Sequence, residues 1–409
     1  MKSVLVDDRE KGKFEKIYEY MSMPKKLIFG INSVERTGIE ARRFGHRVLV
    51  ITDEGVEKAG LANKVVESLK TEGLNLSIFN KVKTEPSSED MKSMIEVVRK
   101  GTYDVIVGVG GGSCLDSAKI ASIMATNPGE VERYVSVSDA SINLIKNPGI
   151  PKILIPTTAG TGSEATRGAI ISVKGIKEAI FSPWLISDVA IVDPLMSMTM
   201  PPRLTALTGF DALSQAIEAV MSIRSNMITD TLALESIRLI SSSLEMAYHN
   251  GGDIKARYNM AIAATIGGMA FANAGVNLGH AISYALSTEY GISHGLGCAL
   301  ALPYAMKYNL DESLGKLNSI AVAMGEDVSG AAPHESALRA IKAIIRISRS
   351  VGLPSGLKEL DVPKGTLPKL AETLVSKYSR LLANNPRKVS IEDAIRLCNE
   401  MWEGKPENN

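Results

Sequence analysis

The first half of this 409-residue chain alternates short β-branched runs with amphipathic stretches, and that alternation restricts the fold more than any other feature. RVLVIT (47–52), LNLSIFN (74–80), DVIVGVGGGS (104–113), KILIPTT (152–158) and AIVD (190–193) read as strands. GLANKVVESLKTEG (60–73), SSEDMKSMIEVVRKG (87–101) and LDSAKIASIMAT (115–126) read as helices between them. Strands alternating with helices predict a parallel, Rossmann-like sheet covered on both faces. From Pro201 the pattern changes to successive helical segments, with no run that resembles a strand. The expected organisation is an extension over residues 1–22, an α/β dinucleotide-binding domain over 23–198 and an all-helical domain over 199–409.

Composition narrows the partners. A net charge of +1 gives no reason to expect nucleic acid or an anionic membrane. The longest apolar run, AIAATIGGMAFANAGV (261–276), is shorter than the roughly 20 residues of a membrane span. Half of it is Ala and Gly, which predicts a buried helix packed closely on its neighbours. The N-terminus is charged and lacks the apolar core of a signal peptide. Cys114, Cys298 and Cys398 are far apart and odd in number, so no disulfide framework is expected. These features predict a soluble cytoplasmic protein.

Several stretches suggest chemistry. GVGGGSCLDSAK (108–119) carries a strand into a helix through three consecutive glycines, where backbone N–H groups and the Ser113 hydroxyl can approach a phosphate. Asp53 ends the strand of VLVITDEG, where an acidic residue accepts from ribose hydroxyls and repels a 2′-phosphate. IPTTAGTGSEATRG (155–168) crowds hydroxyls and glycines after another strand, which suits a ligand crevice. GFDALSQAIEAV (209–220) places Asp211, Gln215 and Glu218 on one helical face among small apolar residues, where a carboxylate calls for a cation. NLGHAISYALSTEYGISHG holds His280 and His294, fourteen positions apart. One straight helix would separate them by about 21 Å. Gly291, with the Ser and Thr before it, predicts a break that turns His294 back toward His280. With Asp211 they would form a His2Asp set with an open position.

Taken in order, GGGSCLDSAK, IPTTAGTGSEAT, AIVDP with GFDALSQAIEA, NLGHAISYALSTEYGISHG and NPRKVSIEDAIRLCNEMW resemble the iron-containing (group III) alcohol dehydrogenase family over about residues 23 to 405. The resemblance implies a dehydroquinate synthase-like architecture and a cleft where NAD, or alternatively NADP, and one Fe2+ or Zn2+ meet a small alcohol or aldehyde. It implies hydride transfer to or from the nicotinamide C4, and a homodimer or higher homo-oligomer. Carried over, the metal ligands are Asp211, His280 and His294, with Gln215 where the family has a fourth ligand, a His. Tyr284 stands where the family often has a second His and is the candidate for a proton relay. The implied cofactor contacts are Asp53, Gly111, Gly112, Ser113, Asp116, Thr157, Thr158 and Lys177. The alternatives are a polyol-phosphate dehydrogenase or a dehydroquinate synthase-type lyase, which call for Lys and Arg around Asp211 and His280. A catalytically silent NAD-binding protein, its metal site eroded at Gln215, is a third reading.

Overall fold

The computed structural model describes residues 21–135 and 144–406, so most of the expected N-terminal extension lies outside the described residues. Strands β1 (Leu27–Phe29), β2 (Arg47–Ile51), β3 (Asn75–Phe79), β4 (Val105–Gly110), β5 (Lys152–Pro156) and β8 (Val189–Val192) form one sheet. Its order is β1-β8-β5-β4-β2-β3 and every neighbouring pair is parallel. Leu49, Ile51, Ile106 and Leu154 face one core, while Val48, Val50, Val105, Val107, Ile153 and Ile155 face another. That two-residue period with apolar groups on both faces explains why the strand runs read as continuously hydrophobic. After β3 the chain returns to place β4 on the other side of β2. The strand order therefore reverses at β2/β4, where a parallel sheet opens a ligand crevice.

Helices α1 (Thr37–Arg42), α2 (Glu54–Lys58), α3 (Leu61–Thr71), α4 (Ser88–Lys100) and α5 (Gly112–Met124) belong to this half. Ser87 and Asp90 cap α4 reciprocally, as its Ser- and Glu-rich first turn suggests. The sequence reading does not include a hairpin, yet β6 (Gly168–Val173) and β7 (Ile176–Phe181) pair antiparallel. Their turn uses Lys174 and Gly175, both at positive φ (50° and 78°), the conformation that matches strand twist in a two-residue loop. AIISV and IKEAIF flanking a Lys-Gly pair were the available signal.

From Pro202 the described residues hold helices without strands: α6 (Pro202–Met221), α7 (Met227–His249), α8 (Ile254–Ala274), α9 (Leu278–Tyr290), α10 (His294–Tyr308) and others that follow. The long apolar run lies mainly in α8, and no single helix among the described residues is long and apolar enough to cross a membrane. The small residues of α8 permit main-chain contact with the loop after β5. A Cβ at Gly162 would lie 2.6 Å from the Ala264 carbonyl and 2.7 Å from Gly268 Cα. One at Gly268 would lie 2.7 Å from the Gly162 carbonyl. Glycine at both positions lets the sheet half and the helical half meet backbone to backbone.

Candidate active site

The glycine turn after β4 sits at the strand reversal. Gly111 precedes α5 without a side-chain cap, so the first N–H groups of this 13-residue helix are open to an anion. A Cβ at Gly112 would fall 2.7 Å from Thr161, and one at Gly111 would reach Thr158 at 3.4 Å. A side chain would fill the cradle that a pyrophosphate needs, and this is the fit expected for a dinucleotide. Asp53 caps α2, accepting from the Val56 N–H (2.9 Å) and from the Cys114 thiol (3.1 Å), which fixes its carboxylate beside the turn. Ser113 Oγ accepts from the Glu85 N–H, and Glu85 pairs with Lys177 on β7 at 2.8 Å.

Not every residue of the implied cofactor set faces this crevice. Asp116 is buried, accepting from Ser163 Oγ (2.5 Å) and from the Ile170 N–H (3.0 Å). Beside it Lys119, fully buried, donates to Ser163 Oγ, Thr166 Oγ1 and the Gly168 carbonyl. The two hold the hydroxyl-rich loop that carries Thr157 and Thr158. Lys119 escaped the sequence reading because an i, i+3 Asp–Lys pair reads as an exposed helix face.

The second cluster lies on α6, α9 and α10. Asp211 and Gln215 are 4% exposed and Glu218 is fully buried, so this face is not solvated. Helix α9 ends at Gly291 (φ +66°) and α10 begins at His294, which is the predicted break. Asp211 Oδ1 lies 3.7 Å from His280 Nε2 and 3.4 Å from His294 Nε2. Ligands about 2.0–2.2 Å from a tetrahedral metal are about 3.3–3.6 Å apart. The three donors therefore fit a divalent cation. Gln215 turns its amide nitrogen, not its oxygen, to Asp211 Oδ1 at 2.9 Å, leaving Oε1 buried without a partner. Cys298 completes the group, all four ligand atoms lying within 4.8 Å of one another. Cys298 is absent from the ligand set expected from the sequence, although the spacing His-x3-Cys puts it on the same face of α10 as His294.

Both imidazoles are aimed. Glu218 Oε1 accepts from His280 Nδ1 at 3.2 Å while its other oxygen accepts from the Asn277 N–H. Ser283 donates its only hydroxyl proton to the His294 carbonyl, so His294 Nδ1 (2.9 Å) must donate to it. Each Nε2 is thereby left for the site. Glycines beside the histidines make room: a Cβ at Gly279 would be 2.1 Å from Glu218 Oε1, and one at Gly295 would be 2.4 Å from the Leu207 carbonyl. Burial alone would raise the Asp211 carboxyl, but His294 and His280 outweigh it and hold it well below the usual carboxylate range. Burial would lower His294, yet Cys298 and Asp211 bring it up to about 9. Burial would raise the Cys298 thiol, and the two imidazoles bring it down to about 7. The cluster thus holds protons that a cation would displace.

The two clusters adjoin. A Cβ at Gly160, in the hydroxyl-rich loop, would lie 2.7 Å from Thr208, one helical turn before Asp211. Lys177 Nζ stands 5.7 Å over the Tyr284 ring, and that ring is 5.1 Å from His294. Tyr284 is held in its protonated form by burial. A glycine turn at a sheet's strand reversal and, across the adjoining loop, a buried carboxylate–imidazole set are the parts that a metal-assisted dinucleotide enzyme requires. Residues 24–194 match the family described as iron-containing alcohol dehydrogenase, and residues 205–402 match its C-terminal part. The chain belongs to the iron-containing alcohol dehydrogenase family and is an oxidoreductase of that type. It is 38% identical over 372 residues to long-chain-alcohol dehydrogenase 1 of Geobacillus thermodenitrificans (strain NG80-2), covering 91% of this chain and 93% of that protein. A 1,3-propanediol oxidoreductase structure is similar at a TM-score of 0.90 and 34% identity, over 94% of this chain and 100% of that one. Sulfoacetaldehyde reductase from Bifidobacterium kashiwanohense, in complex with NAD+, is similar at 0.83 and 26% identity, over 94% and 99%.

Proposed function

We propose that the chain uses NAD and one divalent metal, Fe2+ or Zn2+, to interconvert a small alcohol and its aldehyde between the sheet half and the helical half. The observation that carries this reading is the convergence of Asp211 Oδ1, His280 Nε2 and His294 Nε2 on a helix packed against the hydroxyl-rich loop. When bound, the metal supplies Lewis-acid polarisation of the substrate oxygen, and the nicotinamide supplies hydride chemistry. Asp211, His280 and His294 hold the metal, while Glu218 and Ser283 fix the two ring orientations. The Gly111–Ser113 turn and α5 bind the pyrophosphate, with Thr157, Thr158 and Lys177 toward the nicotinamide end. Asp116 acts by holding the loop rather than by touching cofactor, since both its oxygens are engaged within the protein. Asp53 selects NAD over NADP by repelling a 2′-phosphate. Tyr284 contributes a hydroxyl for proton passage but, holding its own proton, is no base.

The same reading divides the chain near residue 198 and places it in a reducing compartment, consistent with three free buried thiols. Assembly as a homodimer or higher homo-oligomer accompanies it. The test is NAD+ reduction by a series of primary alcohols, and NADH oxidation by the matching aldehydes, before and after dialysis against chelator. Loss of turnover with chelator and its return on adding Fe2+ or Zn2+ is the expected result. Turnover indifferent to chelator would remove the metal from the mechanism. NADH binding without turnover of any alcohol or aldehyde would favour the silent protein.

A further inference from the structure

We infer that Cys298 is a ligand of the metal, its thiolate taking the place of the imidazole that position 215 lacks. The inference rests on the metal reading above and goes further in assigning the fourth donor. Two candidates reach the point where Asp211, His280 and His294 converge. Gln215 turns its amide nitrogen to Asp211 Oδ1, and a turn of that amide would offer only a neutral oxygen, a weaker donor to Fe2+ or Zn2+ than a thiolate. Its Oε1, buried and without a partner, is an acceptor suited to an O–H group that arrives with the metal or substrate. Cys298 Sγ is 3.7 Å from His294 Nε2 and 3.9 Å from His280 Nε2. Metal–sulfur and metal–nitrogen bonds of about 2.3 and 2.0–2.1 Å put tetrahedral S and N ligands about 3.6 Å apart. The sulfur is also 3.9 Å from His294 Nδ1, so it stands beside that ring.

The helix geometry favours the same assignment. His294 and Cys298 are at i and i+4 on α10, the spacing by which one helical face presents two metal ligands. Cys298 is fully buried among these donors. The other thiols are elsewhere: Cys114 donates to Asp53 and Cys398 lies in the core that the last helix enters. A carboxylate, two imidazoles and a thiolate form a softer set than a carboxylate with imidazoles alone, which moves preference from Fe2+ toward Zn2+.

Cobalt reports the bond directly. Protein stripped with chelator and loaded with Co2+ is expected to show a near-ultraviolet sulfur-to-cobalt charge-transfer band at one cobalt per chain. Cys298→Ser should lose the band and retain Co2+ about ten- to a hundredfold less tightly. Gln215→His in the Cys298→Ala background should recover retention without the band, separating lost ligation from lost folding. Stoichiometric Co2+ without the band in the wild type overturns the Cys298 assignment and leaves the metal site standing, whether or not the variants fold. A band that survives in Cys298→Ser overturns it as well. No cobalt binding at all overturns both this assignment and the metal reading beneath it.

Discussion

Glu218 uses both oxygens as acceptors, one from His280 Nδ1 and one from the Asn277 N–H. Glu218→Gln replaces one acceptor with a donor facing another donor, so His280 loses its aim. Metal retention measured by equilibrium dialysis should fall about ten- to a hundredfold, as for other changes behind a ligand. Unchanged retention would mean that the His280 ring is held by packing alone. At the other cluster, Asp53→Ser keeps a residue able to cap α2 while removing the charge. The ratio of NAD to NADP efficiency should drop, and an unaltered ratio would show that Asp53 does not face the ribose. The pairing of His280 with His294 was legible in the sequence because rare residues flanked a helix breaker. Ser283 was not, since its meaning depends on which face of α9 meets which face of α10, and the His-x3-Cys spacing of Cys298 points to the site only once that packing is known.

At the scale of elements, α9 enters against α6 through Gly279. Gly279→Ala would place a methyl 2.1 Å from the Glu218 carboxylate, which must leave its bonds to His280 and the Asn277 N–H to make room. The variant should unfold more easily by about 1–3 kcal/mol and also hold metal less tightly. Lower stability with full metal retention would show that the carboxylate shifts without disturbing His280. Strand β5 offers a pH test through Lys152, whose Nζ is 3.5 Å from Asp188 in a nearly buried site. Burial lowers this ammonium to about 8, with Asp188 opposing the effect. Between about pH 8 and its unfolded value near 10.4, the unfolded chain keeps a proton that the folded chain has lost. Stability relative to Lys152→Met should therefore rise with pH across that window, in urea unfolding at pH 7.5 and about 9.5. A flat difference would mean that Lys152 stays charged. The parallel strands and the break at Gly291 were readable because hydrophobic period and chain punctuation act locally. The β6–β7 hairpin was hidden by its mixed pattern, in which Lys177 and Glu178 interrupt the apolar alternation.

Over the whole molecule, the glycine turn proposed for the cofactor and the donors proposed for the metal come from different halves of the chain. His294→Ala should abolish turnover and leave NADH binding, read by fluorescence titration, close to that of the wild type. Loss of NADH binding would mean that the two sites are coupled through Lys177 and Tyr284. What joins the halves includes a contact with no side chain in it, Gly162 against Gly268. This has a genetic consequence. A methyl added at either position cannot be answered by a smaller residue at the other, because glycine is already the smallest. Starting from Gly162→Ala, a search for second-site revertants should return changes that move the α8 backbone or direct reversion, and none at position 268.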